Sequence, residues 1–232
     1  MTLLAVRDQI IGCERCPRLR QYCARIAREK KAAYRDDDYW GRPVPGFGDP
    51  HARLLVVGLA PAAHGANRTG RPFTGDGRGG SGDFLMAAMH RHGFASLPTA
   101  DRADDGLELR DAYIAMAARC APPGNKPTRE ELAACQSHLE AEVAALPSIL
   151  VVVALGKIAF DAWWRVAARW GAPTGPRPVF GHGLRGRSAG APTVIASYHP
   201  SRQNTNTGRL TAEMLEEVFE DARRMVDDEV TR

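Results

Sequence analysis

This sequence predicts an α/β fold, a mainly parallel sheet covered by helices on both faces, and three observations carry the prediction. Four short apolar runs have the continuous hydrophobicity of strands buried on both sides, not the alternation of a half-exposed sheet. Helical patterns separate those runs, so that strand and helix alternate four times. Gly/Pro-rich loops follow the first and last runs, at the strand exits where open α/β sheets bind ligands. At 232 residues the chain suits a single domain over residues 1–232, with residues 1–50 as an N-terminal helical segment and linker.

The elements follow in order. Helical residues open the chain, and residues 36–50, with Pro43, Pro45, Gly46 and Gly48, read as a linker. Leu54-Leu55-Val56-Val57 is the first strand and ends at Gly58, where a Gly-rich loop begins that reaches Gly80. Ser81 is placed to cap a helix through Phe84, Leu85, Ala88 and Met89, with Gly93 as its stop. Tyr113 to Ala117 is a second, weaker strand. Thr128 and Glu131 form an S/T-x-x-E capping box that opens a helix to about Leu146. Ile149 to Leu155 is the clearest buried strand, and Gly156 turns it into a helix carrying Ile158, Phe160, Trp163 and Trp164. Residues 171–190 form a Gly/Pro/Arg-rich surface loop. Pro192 to Ser197 is the fourth strand, and an amphipathic helix from about Thr211 to Val226 closes the sequence.

The net charge is only +4, but it is unevenly spread. Residues 1–35 hold nine Arg/Lys against three acids, and residues 162–212 hold seven Arg and no acid, whereas the segment from residue 210 onward holds eight acids against three Arg. Bases gathered around His199, with acids moved to a terminal helix, suit a phosphate-facing cleft; a solvated basic face is the alternative. No run has the length of a membrane span, and the early apolar segment contains Arg7 and Asp8, so neither an anchor nor a signal peptide is expected. A cytoplasmic protein follows.

Of five cysteines, Cys13 and Cys16 form a C-x2-C pair, and Cys120 and Cys135 flank a loop and the start of the capped helix. Two thiolates from one turn and two from a distant segment make a four-ligand metal site, favoured over disulfides in a cytosolic protein. The other reading makes Cys120 and Cys135 ordinary buried thiols. Zinc and a [4Fe-4S] cluster both accept four thiolates. Cys23 lies in a helix and is expected to take no part.

Three loops carry chemistry. The first runs from Gly58 to Asp76; it matches neither G-x-G-x-x-G nor G-x-x-x-x-G-K-[ST], so nucleotide-cofactor readings lose ground. Phe73 is its one aromatic, either a core anchor or a stacking platform for a base. The second, Cys120-Ala-Pro-Pro-Gly-Asn125, leaves the Asn125 amide to read a polar edge or to serve as a turn residue. In the third, Ser197-Tyr198-His199-Pro200-Ser201, a histidine at a strand exit is aimed into the cleft by the following proline. The polar run Arg202 to Thr207 suits a duplex groove or a solvated turn.

These loops closely resemble family 5 of the uracil-DNA glycosylases, the B-type enzymes of bacteria and archaea. The matches are Gly58-Leu-Ala-Pro-Ala-Ala-His-Gly with Asn67-Arg-Thr-Gly-Arg-Pro-Phe-Thr-Gly-Asp76, and Ser197-Tyr-His-Pro-Ser201 with Asn204-Thr-Asn-Thr-Gly-Arg-Leu-Thr211. The resemblance implies a three-layer α/β/α sandwich around a four-stranded parallel sheet, with a structural [4Fe-4S] cluster on Cys13, Cys16, Cys120 and Cys135. It implies hydrolysis of the N-glycosidic bond of a flipped, deaminated base in double-stranded or single-stranded DNA, by a monofunctional and monomeric enzyme. Phe73 would stack on the base, Asn125 would bond its Watson–Crick edge, and His199 would donate to the carbonyl that gains charge as the base leaves. Backbone amides and Ser201 would hold phosphates, and a residue from the Arg202–Asn206 stretch would fill the gap in the duplex.

One position departs from the better-known families, where an Asp or Asn before the motif proline positions water: this chain has Ala60. Asp76 is the candidate to substitute, or else simply closes a turn after Gly75. The apolar Ala60 also implies a wider pocket, and family 5 enzymes take hypoxanthine, xanthine and ethenocytosine besides uracil. The rivals are family 4 or the covalently trapping branch, against which Leu59 and the polar Arg202–Thr207 run argue, and a non-catalytic metal-stapled DNA-binding protein. Lys157 suggests a Schiff-base lyase, or a phosphate or solvent contact, and the latter is expected.

Overall fold

In the computed structural model, which describes residues 1–171 and 177–228, the sheet forms around four parallel strands. These are β2 (Leu54–Gly58), β3 (Ala112–Met116), β4 (Val151–Leu155) and β6 (Thr193–Ser197). They lie in the order β3-β2-β4-β6. Each falls within a residue or two of its expected run. Because the chain leaves β2 for one neighbour and then crosses to the other, the order reverses beside β2, and a crevice opens at the carboxyl ends of β2 and β4.

The sheet has six strands, not four. β1 (Phe47–Gly48) pairs antiparallel with β3, and β5 (Arg185–Gly186) pairs antiparallel with β6. Both lie in stretches read as linker and surface loop, and two residues are too few to carry a periodic signal. They form because the outer parallel strands present unpaired amides and carbonyls that a passing segment satisfies. Part of the expected 171–190 loop lies outside the described residues.

Side-chain alternation along the strands divides the core into two layers. Leu54, Val56, Ile114, Val153 and Ile195 face the helices α4 (Ser81–Arg91) and α8 (Ala212–Asp228), through Leu85, Met89, Leu215 and Phe219. Leu55, Val57, Ala115, Val152 and Val194 face α5 (Arg129–Ala144) and α6 (Lys157–Ala167), through Leu139, Val143, Phe160 and Trp163. This is the α/β/α sandwich. Thr128 and Glu131 form both bonds of the capping box that starts α5.

At the N-terminus, α1 (Leu3–Ile11) and α2 (Pro17–Glu29) flank Cys13 and Cys16, the latter at the N-cap of α2. No helix among the described residues is long and apolar enough to cross a membrane. Between β3 and α5 lies a fully buried ion pair, Arg119 with Glu142. The Glu142 carboxylate also accepts from the Gly46 amide at 2.8 Å and the Tyr113 hydroxyl at 3.3 Å, tying the segment before β1 to the core.

Candidate active site

The loop leaving β2 carries a short helix α3 (Ala66–Thr69) and then delivers Phe73, whose backbone φ of +50° lies in the left-handed region. Two glycines make room for it. A Cβ at Gly58 would stand 2.6 Å from the Phe73 ring, and one at Gly82 would stand 2.2 Å from the Phe73 carbonyl oxygen. Two buried arginines hold the loop from beneath. Arg71 donates to Thr74 Oγ1 at 2.8 Å and to Asp105 at 2.7 Å, bracketing Phe73 on both sides in sequence. Arg68 donates to the carbonyls of His64 at 2.9 Å and Gly75 at 2.7 Å, pairs with Asp37, and stacks 4.0 Å from the Tyr34 ring centroid. Sequence reading passed over both arginines, since nothing local marks a buried guanidinium whose partners lie tens of residues away.

Asp76 does what Ser81 was expected to do. The N-cap of α4 is Gly80, which has no side chain to offer, and the Asp76 carboxylate instead accepts from the amides of Ser81 at 2.8 Å and Gly82 at 3.3 Å. The same carboxylate lines a small cavity of about 50 Å3 with Ala60, Phe73 and His199, walled by Ala62, Ala66 and Met116. Closing a turn and facing the cavity are therefore both true of Asp76, because a carboxylate fixed by two amides keeps lone pairs to spare.

His199 follows β6, its carbonyl accepting from Ser201 N at 2.8 Å and Asn204 Nδ2 at 2.8 Å. Its Cβ packs over Gly156 at the exit of β4, where an added Cβ would touch it at 3.4 Å. The imidazole stacks on Phe73, with ring centroids 5.9 Å apart and planes 27° apart. A base sandwiched between two rings needs about 7 Å, so a guest must displace the imidazole from the Phe73 face. Burial pushes the His199 pKa down to about 4, which leaves a neutral ring at pH 7.

That shift has a consequence for folding. An unfolded histidine titrates near 6.5, so as the pH falls from 6.5 toward 4 the unfolded chain gains a proton at this site that the folded chain refuses. The contribution of the neutral ring is fully present above pH 6.5 and is lost as the pH falls to about 4. Urea midpoints of the wild type are expected to drop more steeply over that window than those of His199→Gln.

Asn125, exposed and with φ +57°, lies not in this cavity but in an adjoining cleft of about 350 Å3 that shares Ala62 and Asp76 with it. Ser201 caps α7 (Arg202–Asn206) by accepting from Asn204 N at 3.4 Å, and its hydroxyl proton remains available. Arg202 reaches across the cleft to the carbonyls of Asp76 at 3.4 Å and Arg78 at 3.2 Å, joining the third loop to the first. The stretch expected as a polar loop is thus the helix α7, because Ser201 supplies its cap. Lys157 is exposed and paired with Asp161 at 2.7 Å.

Among the described residues, no group of three or more His, Cys, Asp or Glu side chains is disposed to hold a metal ion. The thiols nonetheless share one neighbourhood. Burial and the proximity of Cys135 and Cys13 push the Cys16 thiol up, and burial raises Cys135 against the opposing hydrogen bond from the Arg119 amide at 3.4 Å. Cys120 is also pushed up, by a hydrogen bond with the neighbouring Cys23 and by burial. Arg15 Nε donates to Cys13 Sγ at 3.2 Å. Arg119 Nε and Nη1, both buried, have no hydrogen-bond partner among the described residues. Four thiols in one neighbourhood, beside guanidinium donors, are donor chemistry that zinc and a multi-iron cluster both accept.

With this geometry in place, comparison with known proteins is direct. The family model of the uracil DNA glycosylase superfamily matches residues 45–223, well over half of the chain. A type-5 uracil-DNA glycosylase of Thermus thermophilus is 49% identical over 216 residues, covering 93% of this chain and 94% of the relative. One of Mycobacterium leprae is 46% identical over 219 residues, covering 94% and 93%. A type-4 uracil-DNA glycosylase of Pyrobaculum aerophilum stands further off, at 29% over 203 residues and 87% and 84% coverage. Strand-exit loops that bring a phenylalanine, a carboxylate and a neutral histidine to one cavity, and a match to the superfamily across that region, lead to one conclusion: this chain belongs to the uracil-DNA glycosylase superfamily.

Proposed function

We propose that the protein removes uracil from DNA by hydrolysing its N-glycosidic bond after drawing the nucleotide out of the duplex, leaving an abasic site. The observation that carries this reading is the cavity at the sheet's carboxyl edge, where Phe73, Asp76 and His199 meet. The extruded base takes the place that the imidazole holds over the Phe73 ring, and unstacking is offset by this new stack. His199 then stands at the rim of the base and donates to the carbonyl on which charge grows. A neutral imidazole suits this role, since it donates without first losing a proton to the leaving group.

Ala60 offers no group to activate water. The bond therefore breaks ahead of attack, and the Asp76 carboxylate faces the cationic sugar or orients the water that captures it. Asn125 reads the Watson–Crick edge from the adjoining cleft, and the Ser201 hydroxyl with nearby backbone amides holds phosphate. Arg202, spanning the cleft mouth, meets the strand there. The small residues Ala60, Ala62 and Ala66 impose little shape, so hypoxanthine, xanthine and ethenocytosine are further substrates, in double- or single-stranded DNA. The enzyme acts as a monomer, since one cleft suffices, and works on DNA in the cytoplasm, at the nucleoid.

Cys13, Cys16, Cys120 and Cys135 would hold a [4Fe-4S] cluster, which supplies a structural staple between the N-terminal helices and the start of α5. Protein purified without oxygen is expected to carry iron and sulfide with visible absorption, and Cys135→Ala to lose both together with thermal stability; iron-free protein of unchanged stability would rule the cluster out. Activity is tested by incubating the protein with a uracil-bearing duplex and cleaving abasic sites with alkali. Strand breaks only at uracil are expected. Salt-sensitive binding without breaks would instead identify a non-catalytic DNA-binding protein.

A further inference from the structure

His64, in the loop leaving β2, lines the same cleft as Asn125 and Asp76, next to the Phe73–His199 cavity. Its ring is set by Tyr39: the Tyr39 hydroxyl lies 2.9 Å from His64 Nδ1, and the two rings meet edge-on at 6.1 Å between centroids and 82° between planes. The Tyr39 oxygen also accepts from the Lys31 backbone N–H at 3.4 Å. With the Tyr39 hydroxyl donating to Nδ1 while its oxygen accepts from Lys31, one arrangement satisfies all three groups. Burial, together with the charges of Lys31 and Arg68, lowers the His64 pKa, so the ring is neutral at neutral pH. A neutral imidazole that accepts at Nδ1 carries its proton on Nε2. That nitrogen has no partner among the described residues. In that arrangement His64 offers the cleft a donor and no acceptor.

We infer that His64 is a specificity-determining residue, whose Nε2–H donates to the carbonyl that deamination installs on a base. This rests on the uracil-excision reading above. Uracil carries that carbonyl at position 4 and hypoxanthine carries it at position 6; cytosine and adenine carry an amino donor at the same place. A fixed donor facing an amino group leaves both without partners in a desolvated site, whereas a carbonyl satisfies it. Asn125 cannot impose this choice alone, because a carboxamide can turn over and offer either its oxygen or its nitrogen. An uncharged donor also fits a carbonyl better than a phosphate, which would favour a cation. Tyr39 is then a positioning residue that keeps the proton on the outward nitrogen.

The test pairs enzyme and substrate changes under single-turnover conditions, using duplexes with uracil or 4-thiouracil, whose sulfur is a poor acceptor at position 4. His64→Leu is expected to slow release of uracil about tenfold or more and release of 4-thiouracil by less than threefold. His64→Gln, which keeps a nitrogen donor at a similar reach, should restore most of the uracil rate, and Tyr39→Phe should fall between. Release of ethenocytosine, which lacks the carbonyl, should be indifferent to His64→Leu. Equal losses on uracil and 4-thiouracil, or no loss on either, would overturn the inference while leaving uracil excision intact. A wild-type protein that releases no uracil would instead overturn the functional reading itself.

Discussion

Replacing His199 with alanine is expected to lower turnover of a uracil-bearing duplex by about a hundred- to a thousandfold, with the fold retained. Removing one preorganised donor from a developing oxyanion costs roughly 3 to 4 kcal/mol of transition-state stabilisation in water-poor sites. His199 becomes such a donor once the base has displaced its ring to the rim: the residue's carbonyl is anchored by Ser201 and Asn204, its Cβ rests on Gly156, and burial keeps the imidazole neutral. KM should change little, because the bond to the carbonyl strengthens only as the base departs. Asp76→Asn is expected to cost much less, about tenfold, since Ala60 already leaves the reaction without a positioned base and an amide oxygen still accepts one of the two α4 amides. Single-turnover rates of both variants decide the matter: equal losses would show that water activation, and not stabilisation of the leaving base, limits the reaction.

Arg119→Met is expected to destabilise the fold by about 3 to 5 kcal/mol, measured by urea unfolding. The Arg119–Glu142 pair is buried to within 1% of exposure on both sides, so removing the cation strands a carboxylate in the core. Gly46 and Tyr113 would remain bonded to it but cannot neutralise it. The double variant Arg119→Met/Glu142→Leu removes the uncompensated charge and should recover more than half of the loss, because a buried ion pair is worth little more than well-packed apolar side chains. A double variant as unstable as the single one would mean that the pair is needed for its hydrogen bonds to Gly46 and Tyr113, and not for its charge balance.

The four central strands were legible because each is buried on both faces and must therefore be continuously apolar, a pattern few other elements share. Thr128 with Glu131 was legible because a capping box is satisfied within four residues. The edge strands were not, since Phe47–Gly48 and Arg185–Gly186 owe their extended pairing to the neighbours they meet. The cap of α4 was misassigned for the same kind of reason: Ser81 has the right chemistry one residue too late, and the acceptor comes from Asp76, brought round by the turn at Gly77 to Gly80.

By itself the sequence determined the layered α/β architecture, the strand exits from which Phe73 and His199 project, and the four thiols, because burial periodicity, glycine spacing and donor chemistry are local properties written along the chain. The tertiary structure decided what lies against what: Phe73 held between Gly58 and Gly82 and stacked on His199, Asp76 serving α4 and the cavity at once, Asn125 set in the neighbouring cleft beside His64, and the Tyr39 hydroxyl set against that ring. These are contacts between residues far apart in the chain. Their energies depend on distance and exclusion of water, and those quantities exist only once the sheet has brought its loops together.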